Sequence, residues 1–189
     1  LGKLKLPSDD ESFKNSELTS MLLKRSGYLR YEISNYSIPG HQSRHNRVYW
    51  KGLGWWSFGQ GSTSSPWGIQ FTRPRSSQAY KDWVTTQCKG QIEKSLVRIS
   101  NRYLELDEKI MLGMRLREGV NLKKLFIEQG WESEQSERNF VKLLNIWDKY
   151  IKSGLLCKEG DRFFLSDPQG MELSNQILIS MFTWWDQIN

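Results

Sequence analysis

From Ile33 to Lys81 the chain contains no Asp or Glu. The same stretch carries Arg44, Arg47, Lys51, Arg73, Arg75 and Lys81, with His41 and His45. It also holds Tyr36, Tyr49, Trp50, Trp55, Trp56, Phe58, Trp67, Phe71 and Tyr80. Cations beside large flat rings suit a ligand that is planar, apolar on its faces and anionic at its edges. A porphyrin with propionates, a nucleotide-like ligand with a carboxylate and single-stranded nucleic acid all meet that description. Packing competes for the same rings, and at least half of them are assigned to the core.

The stretch is rich in Gly and Ser and has little periodicity, so it reads as site-bearing loops around short strands at Trp55–Phe58 and Trp67–Thr72. The regular elements lie on either side. Pro7-Ser8-Asp9-Asp10 starts a helix over Glu11–Ser26, with Phe13, Leu18, Met21 and Leu22 as its apolar stripe and Gly27 as its stop. Leu29–Asn35 alternates like a strand. Ser76–Gln87 is helical.

Three further helices follow, over Leu106–Leu116, Asn121–Gln129 and Ser133–Ser153. The last of these spaces Phe140, Leu143, Leu144, Trp147 and Ile151 for a buried face. Leu155–Ser166 reads as a hairpin around Glu159-Gly160-Asp161. A final helix starts at Asp167-Pro168 and runs to about Trp185. Three helices and a hairpin give the order of a winged-helix-like unit. The boundary between the two parts falls at 89–104.

With 189 residues and 13% aromatics, nine of them Trp, the chain can build a packed core. Its formal net charge of +6 favours anionic partners without selecting among them. Cys88 and Cys157 stand far apart, with no C-x-x-C and no His at zinc-ligand spacing. That argues against a structural zinc, a cysteine-held cluster made by this chain alone, or a disulfide framework. No apolar run approaches the ~20 residues of a membrane span, and Leu1-Gly2-Lys3 is not a signal peptide. The expectation is a soluble, intracellular chain. The missing initiator Met reads as truncation or processing.

Two motifs concentrate the chemistry. Phe58-Gly59-Gln60-Gly61-Ser62-Thr63-Ser64 follows a strand. Its glycines let backbone N–H groups approach a ligand, and its hydroxyls add hydrogen bonds. A plain turn uses the same residues, and the third Gly of a dinucleotide fingerprint is missing. In His45-Asn46-Arg47-Val48-Tyr49-Trp50, an imidazole can ligate haem iron and the two rings can pack on a macrocycle. The alternative is a His that only hydrogen-bonds its own loop. Two His residues and no paired carboxylates in the loops leave little for general acid–base chemistry.

At these residues the sequence resembles a known family. Gly27-Tyr28-Leu29-Arg30-Tyr31-Glu32-Ile33-Ser34-Asn35-Tyr36, Pro39-Gly40 and His45-Asn46-x-x-Tyr49-Trp50 resemble the HemW-type haem chaperones. Those are relatives of the oxygen-independent coproporphyrinogen III dehydrogenases. The resemblance continues through Phe58-Gly59-x-Gly61-Ser62-x-Ser64 and Phe71-Thr72-Arg73-Pro74-Arg75, which are closest to cyanobacterial or plastid members. It reaches Leu112-Gly113-Met114-Arg115-Leu116, Gly119-Val120, Leu165-Ser166, Gly170 and Leu173-Ser174-Asn175. Ser43 stands where members often carry Cys, and Gly52 and Gly54 replace a polar residue and a Pro.

The resemblance implies an α/β fold: the C-terminal portion of a radical-SAM partial (β/α) barrel, then a small winged-helix-like helical domain with a β-hairpin. Residues 1–88 would be the last barrel elements, 89–104 a linker and 105–189 the C-terminal domain. It implies S-adenosylmethionine and a [4Fe–4S] cluster in the full-length parent, with haem as the bound group. The C-x-x-x-C-x-x-C motif for the cluster is absent from this sequence. The site residues it implies are His45, Asn46, Tyr49, Trp50, Gly59, Gly61, Ser62 and Ser64, with His45 as a haem-iron ligand and no metal held otherwise. The implied partners are haem or porphyrin and haem-accepting proteins. The implied location is the cytoplasm, or the plastid in a photosynthetic eukaryote.

A coproporphyrinogen III dehydrogenase parent and a winged-helix nucleic-acid module are the alternatives, the latter ranked last. Two distant cysteines cannot supply the thiolates of a cluster. The isolated chain is therefore expected to show no iron–sulfur absorbance after anaerobic reconstitution, and a stoichiometric four-iron cluster would overturn this.

Overall fold

The computed structural model describes residues 6–66, 70–89, 98–100 and 104–188. They form two compact units, residues 1–43 with 106–189 in one and residues 44–105 in the other. The N-terminal residues thus pack with the C-terminal helices, a different division from the sequential one at 89–104. Most of that linker lies outside the described residues, as does Trp67.

Helix α1 (Asp9–Arg25) opens with a reciprocal cap. The Ser8 hydroxyl accepts from the Glu11 N–H, and the Glu11 carboxylate accepts from the Ser8 N–H at 2.8 Å. These bonds hold the Glu11 carboxyl below its usual range. At the other end Gly27 takes φ 83°, and Tyr28 N–H reaches back to the Leu23 carbonyl. The apolar residues Leu18, Met21 and Leu22 of α1 are exposed, while Ser20 is buried.

Strands β1 (Leu29–Arg30) and β2 (Tyr36–Ser37) form a short hairpin with Arg30 opposite Tyr36. The single strand expected over Leu29–Asn35 is cut short. Tyr31 N–H donates to the Asn35 carbonyl, and the fully buried Glu32 accepts from the Ser34 hydroxyl and the Asn35 amide, so the chain doubles back.

The second unit contains helix α2 (Arg44–Trp50), strands β3 (Thr63–Ser64) and β4 (Gln70–Thr72), helix α3 (Ser77–Cys88) and strand β5 (Arg98–Ser100). The strands make one antiparallel sheet in the order β3-β4-β5. The sequence reading placed loops where α2 forms. The start of α3 is set by Ser76, whose hydroxyl accepts from the Ala79 N–H.

The rest of the first unit runs α4 (Leu106–Met114), β6 (Val120–Asn121), α5 (Leu122–Glu128), α6 (Ser133–Lys152), β7 (Leu156–Glu159), β8 (Arg162–Leu165), α7 (Gln169–Glu172) and α8 (Ser174–Ile188). The expected hairpin is β7–β8, and β6 joins it in the order β6-β8-β7. The single last helix is in fact two. The Ser166 hydroxyl accepts from Gly170 N–H to start the short α7, and α8 follows after Leu173. The core is aromatic. Trp147, Trp184 and Phe163 are fully buried, and Phe126 stacks on Trp184 with ring centroids 6.0 Å apart. The indole N–H of Trp184 donates to the Asn139 carbonyl at 3.1 Å, so its polar end is satisfied.

Arg30 ties the N-terminal hairpin to this body. It is 4% exposed, and its Nη2 donates to Glu172 Oε1 at 2.7 Å while its Nε donates to the Tyr36 hydroxyl at 2.7 Å. Asp167 Oδ1 lies 3.6 Å from the same Nε. The Ser16 hydroxyl of α1 donates to the same Glu172 oxygen. Burial works against the charge, but the bonds to Glu172 and Tyr36 outweigh it and hold the Arg30 pKa above its ordinary value.

Gly119, between α4 and β6, adopts φ +64°, and a Cβ there would lie 1.9 Å from the Phe163 carbonyl oxygen. Left-handed strain and backbone overlap act together. Gly119→Ala is expected to cost ~3 kcal/mol or more in urea unfolding, and a change within experimental error would contradict this contact.

Candidate functional site

Helix α2 places His45 and Tyr49 one turn apart on the same face. The Tyr49 hydroxyl lies 3.0 Å from His45 Nε2, and the two rings meet edge to face with centroids 4.9 Å apart. His45 is exposed and Tyr49 half-buried. Asn46 and Trp50, also one turn apart, occupy another face and are half-buried. Gly52 closes the helix. It takes φ 62°, donates to the Tyr49 carbonyl, and is followed by a Leu53 N–H bond to the Val48 carbonyl. That pair of bonds is a helix stop which needs a left-handed residue, so the Gly at position 52 is the form this loop requires.

Trp55 links α2 to the glycine loop. Its ring meets Tyr49 edge-on at 4.9 Å, its indole N–H donates to the Thr63 carbonyl at 3.0 Å, and its backbone pairs with Ser65. His45, Tyr49, Trp55 and Thr63 thus form one connected row.

The loop residues Gly59, Gly61, Ser62 and Ser64 converge on a residue that the sequence reading did not single out as a site, Arg73. Its Nη1 lies 3.0 Å from the Ser57 hydroxyl, 3.3 Å from that of Ser62 and 2.9 Å from that of Ser64. The Ser62 hydroxyl donates onward to the Gly59 carbonyl at 2.6 Å. Gly61 N–H donates to the Pro74 carbonyl, and Arg73 N–H to the Ser62 carbonyl. Gly59 and Gly61 take φ 93° and 66°, which this tight path demands. The guanidinium carbon also sits 5.3 Å from the centroid of Phe71 and 5.4 Å from those of Trp56 and Trp83.

Arg73 is 3% exposed and Ser64 fully buried, and they are the only buried residues among those of 44–66, 70–89 and 104–105. Among the described residues no carboxylate pairs with Arg73; hydroxyls and ring faces take that place. Burial pulls its pKa below the ordinary value, yet a guanidinium stays charged in proteins. The hydroxyls of Ser62 and Ser64 are thereby engaged within the loop, as are the Gly59 carbonyl and the Gly61 N–H. The strand expected over Trp55–Phe58 is reduced to an isolated bridge between Trp55 and Ser65, and Trp56 and Phe58 beyond it are exposed at 53% and 82%. A cation at the edge of a Ser-rich strand, in a region without carboxylates, was the available signal for Arg73.

Among the described residues no three His, Cys, Asp or Glu side chains gather as a metal site. Cys88 and Cys157 are free thiols in different units, a donor set that does not fit an iron–sulfur cluster. No helix of the described residues is long and apolar enough to cross a membrane.

Arg73→Met should remove the donor shared by the three hydroxyls. The expected result is a loss of ~2 kcal/mol of local stability, read as roughly 30-fold faster amide exchange at Ser57 and Gly61, with Arg73→Lys restoring only part of it. Unchanged exchange in Arg73→Met would show that the loop is held by something else.

Comparison with known proteins adds the ancestry of this arrangement. No family model matches the chain. The heme chaperone HemW of Synechocystis sp. is 32% identical over 96% of this chain and 46% of its own length. The heme chaperone HemW of Lactococcus lactis is 27% identical over 93% and 43%. A mitochondrial radical S-adenosyl methionine domain-containing protein 1 of Danio rerio is 26% identical over 94% and 39%. The solved structure of coproporphyrinogen III oxidase (HemN) from Escherichia coli, described as a radical SAM enzyme, superposes with a TM-score of 0.64 at 12% identity. That match covers 93% of this chain and 42% of that one, and supports the mixed α/β fold alone. The chain spans less than half the length of these relatives. It is thus related to the HemW-type radical-SAM proteins and corresponds to their C-terminal part.

Proposed function

We propose that this chain supplies the haem-handling part of a HemW-like haem chaperone. The observation that carries the reading is the His45–Tyr49 pair on α2, hydrogen-bonded, with His45 exposed and Tyr49 half-buried, in a stretch with no carboxylate. Iron takes an imidazole or phenolate donor. Arg44, Arg47 and Lys51 on and beside the same helix supply the charge that propionates attract. Asn46 and Trp50 complete the helix that carries the pair. In this reading the acceptor of haem is another protein, and the setting is the cytoplasm.

S-adenosylmethionine and a [4Fe–4S] cluster belong to the longer parent in the same reading, and the cluster thiolates come from residues outside this chain. Gly59 and Gly61 would line the cofactor cavity through their backbone, with Ser62 and Ser64 shaping the loop from behind. Residues 1–88 would be the last barrel elements and 105–189 a winged-helix-like domain, with Arg30 as the bolt between the barrel's end and that domain. A nucleic-acid role for the second part finds no support at the β7–β8 turn, which presents Glu159 and Asp161 at its tip.

Ferric haem titration followed at the Soret band tests the reading. The double variant His45→Ala/Tyr49→Phe is expected to bind haem at least ~10-fold more weakly than wild type while keeping its circular dichroism. Equal affinity and spectrum in a folded double variant would remove α2 as the haem site.

A further inference from the structure

We propose that the iron-facing ligand of this site is the phenolate oxygen of Tyr49, and that His45 is the positioning base that holds it. The inference rests on reading α2 as the haem site and assigns the roles within it. The nitrogen of His45 that stands away from the main chain is Nε2, the one a broad macrocycle can reach. It is already engaged by the Tyr49 hydroxyl at 3.0 Å. With His45 in its Nδ1-protonated tautomer, the phenol donates a hydrogen bond to Nε2, which polarises the O–H bond toward the imidazole.

The surroundings favour the same assignment. The Tyr49 ring is braced edge-on by Trp55, and Trp55 is pinned through its indole N–H to the Thr63 carbonyl at 3.0 Å. His45 is exposed on the first turn of a helix that begins only at Arg44. A ligand that must receive a large flat cargo gains from a fixed ring, and Tyr49 has the fixed ring. Arg44, Arg47 and Lys51 lie near Tyr49 in sequence, and no Asp or Glu occurs from Ile33 to Lys81. Tyrosinate is also an established ligand class for haem iron.

The binding step balances without electron transfer. The O–H bond of Tyr49 breaks, an iron–oxygen bond forms, the water on ferric iron leaves, and the proton goes to Nε2 of His45. Iron remains ferric throughout.

Resonance Raman and absorption spectra of the chain loaded with ferric haem, made with ring-deuterated tyrosine, test this directly. Wild type should show tyrosinate ring vibrations that shift with the label. Tyr49→Phe keeps the ring against Trp55 and should lose those bands. His45→Ala should keep them but bind ~10–100-fold more weakly, because the group that orients the ligand is gone. If Tyr49→Phe keeps the wild-type spectrum while His45→Ala changes it, the imidazole is the ligand. The inference then fails while the haem site stands. Tyrosinate bands that persist in Tyr49→Phe assign another tyrosine and also overturn it. If neither variant alters spectrum or affinity, the inference and the proposed function fail together.

Discussion

Taking a guanidinium out of water is costly unless its charge and its N–H groups find partners, and this chain does so twice. Arg30 is matched by the ordinary route at Nε and Nη2, with Glu172 and Asp167 as counter-charges and Tyr36 as a further acceptor, while its Nη1 is buried without a hydrogen-bond partner. Arg73 is matched without any carboxylate among the described residues. Three serine hydroxyls surround one of its nitrogens, and three aromatic rings cover its faces. The difference has a sequence cause. Arg73 sits inside the stretch from Ile33 to Lys81 that has no acid to offer. The glycine loop, the strand pair β3–β4 and the Trp56–Phe71 contact all touch this one buried cation.

The two units are consequently stabilised by different physics. The first closes over Trp147, Trp184, Phe126 and Phe163, and its apolar burial would hold with any surface chemistry. Across 44–66, 70–89 and 104–105 the second buries only Ser64 and Arg73. Its order comes from directional bonds, which fix where groups point more than they add stability.

Periodicity and stop signals made most of the first unit legible. The Ser8–Glu11 cap, the spacing from Phe140 to Ile151 and the turn at Gly160 each encode their element locally, and each element lies within a residue or two of where it was expected. The strand over Leu29–Asn35 failed because its alternation is satisfied by a hairpin. Glu32 is buried, and its carboxylate collects Ser34 and Asn35 from the turn itself. Helix α2 was missed because one short helix with no acid in its first turn carries no start signal. Residues 1–43 were assigned away from 106–189 because the Arg30–Glu172 pair spans most of the chain, and no local pattern announces a partner that distant.

The candidate site was legible in residue type and not in role. His45 and Tyr49 were visible as a spaced pair, and the glycine loop as a turn near a strand. What spacing cannot convey is which hydroxyls are already spent. Ser62 and Ser64 read as ligand donors in sequence, and in the fold their hydroxyls lie within hydrogen-bond distance of the Arg73 guanidinium. The same logic separates the aromatics. Trp55 is consumed in the row from Tyr49 to Thr63, whereas Trp56, which also covers Arg73, and Phe58 each leave more than half of their surface exposed. The carboxylate-free composition raises all of these rings at once, and only the contacts each one makes tell them apart.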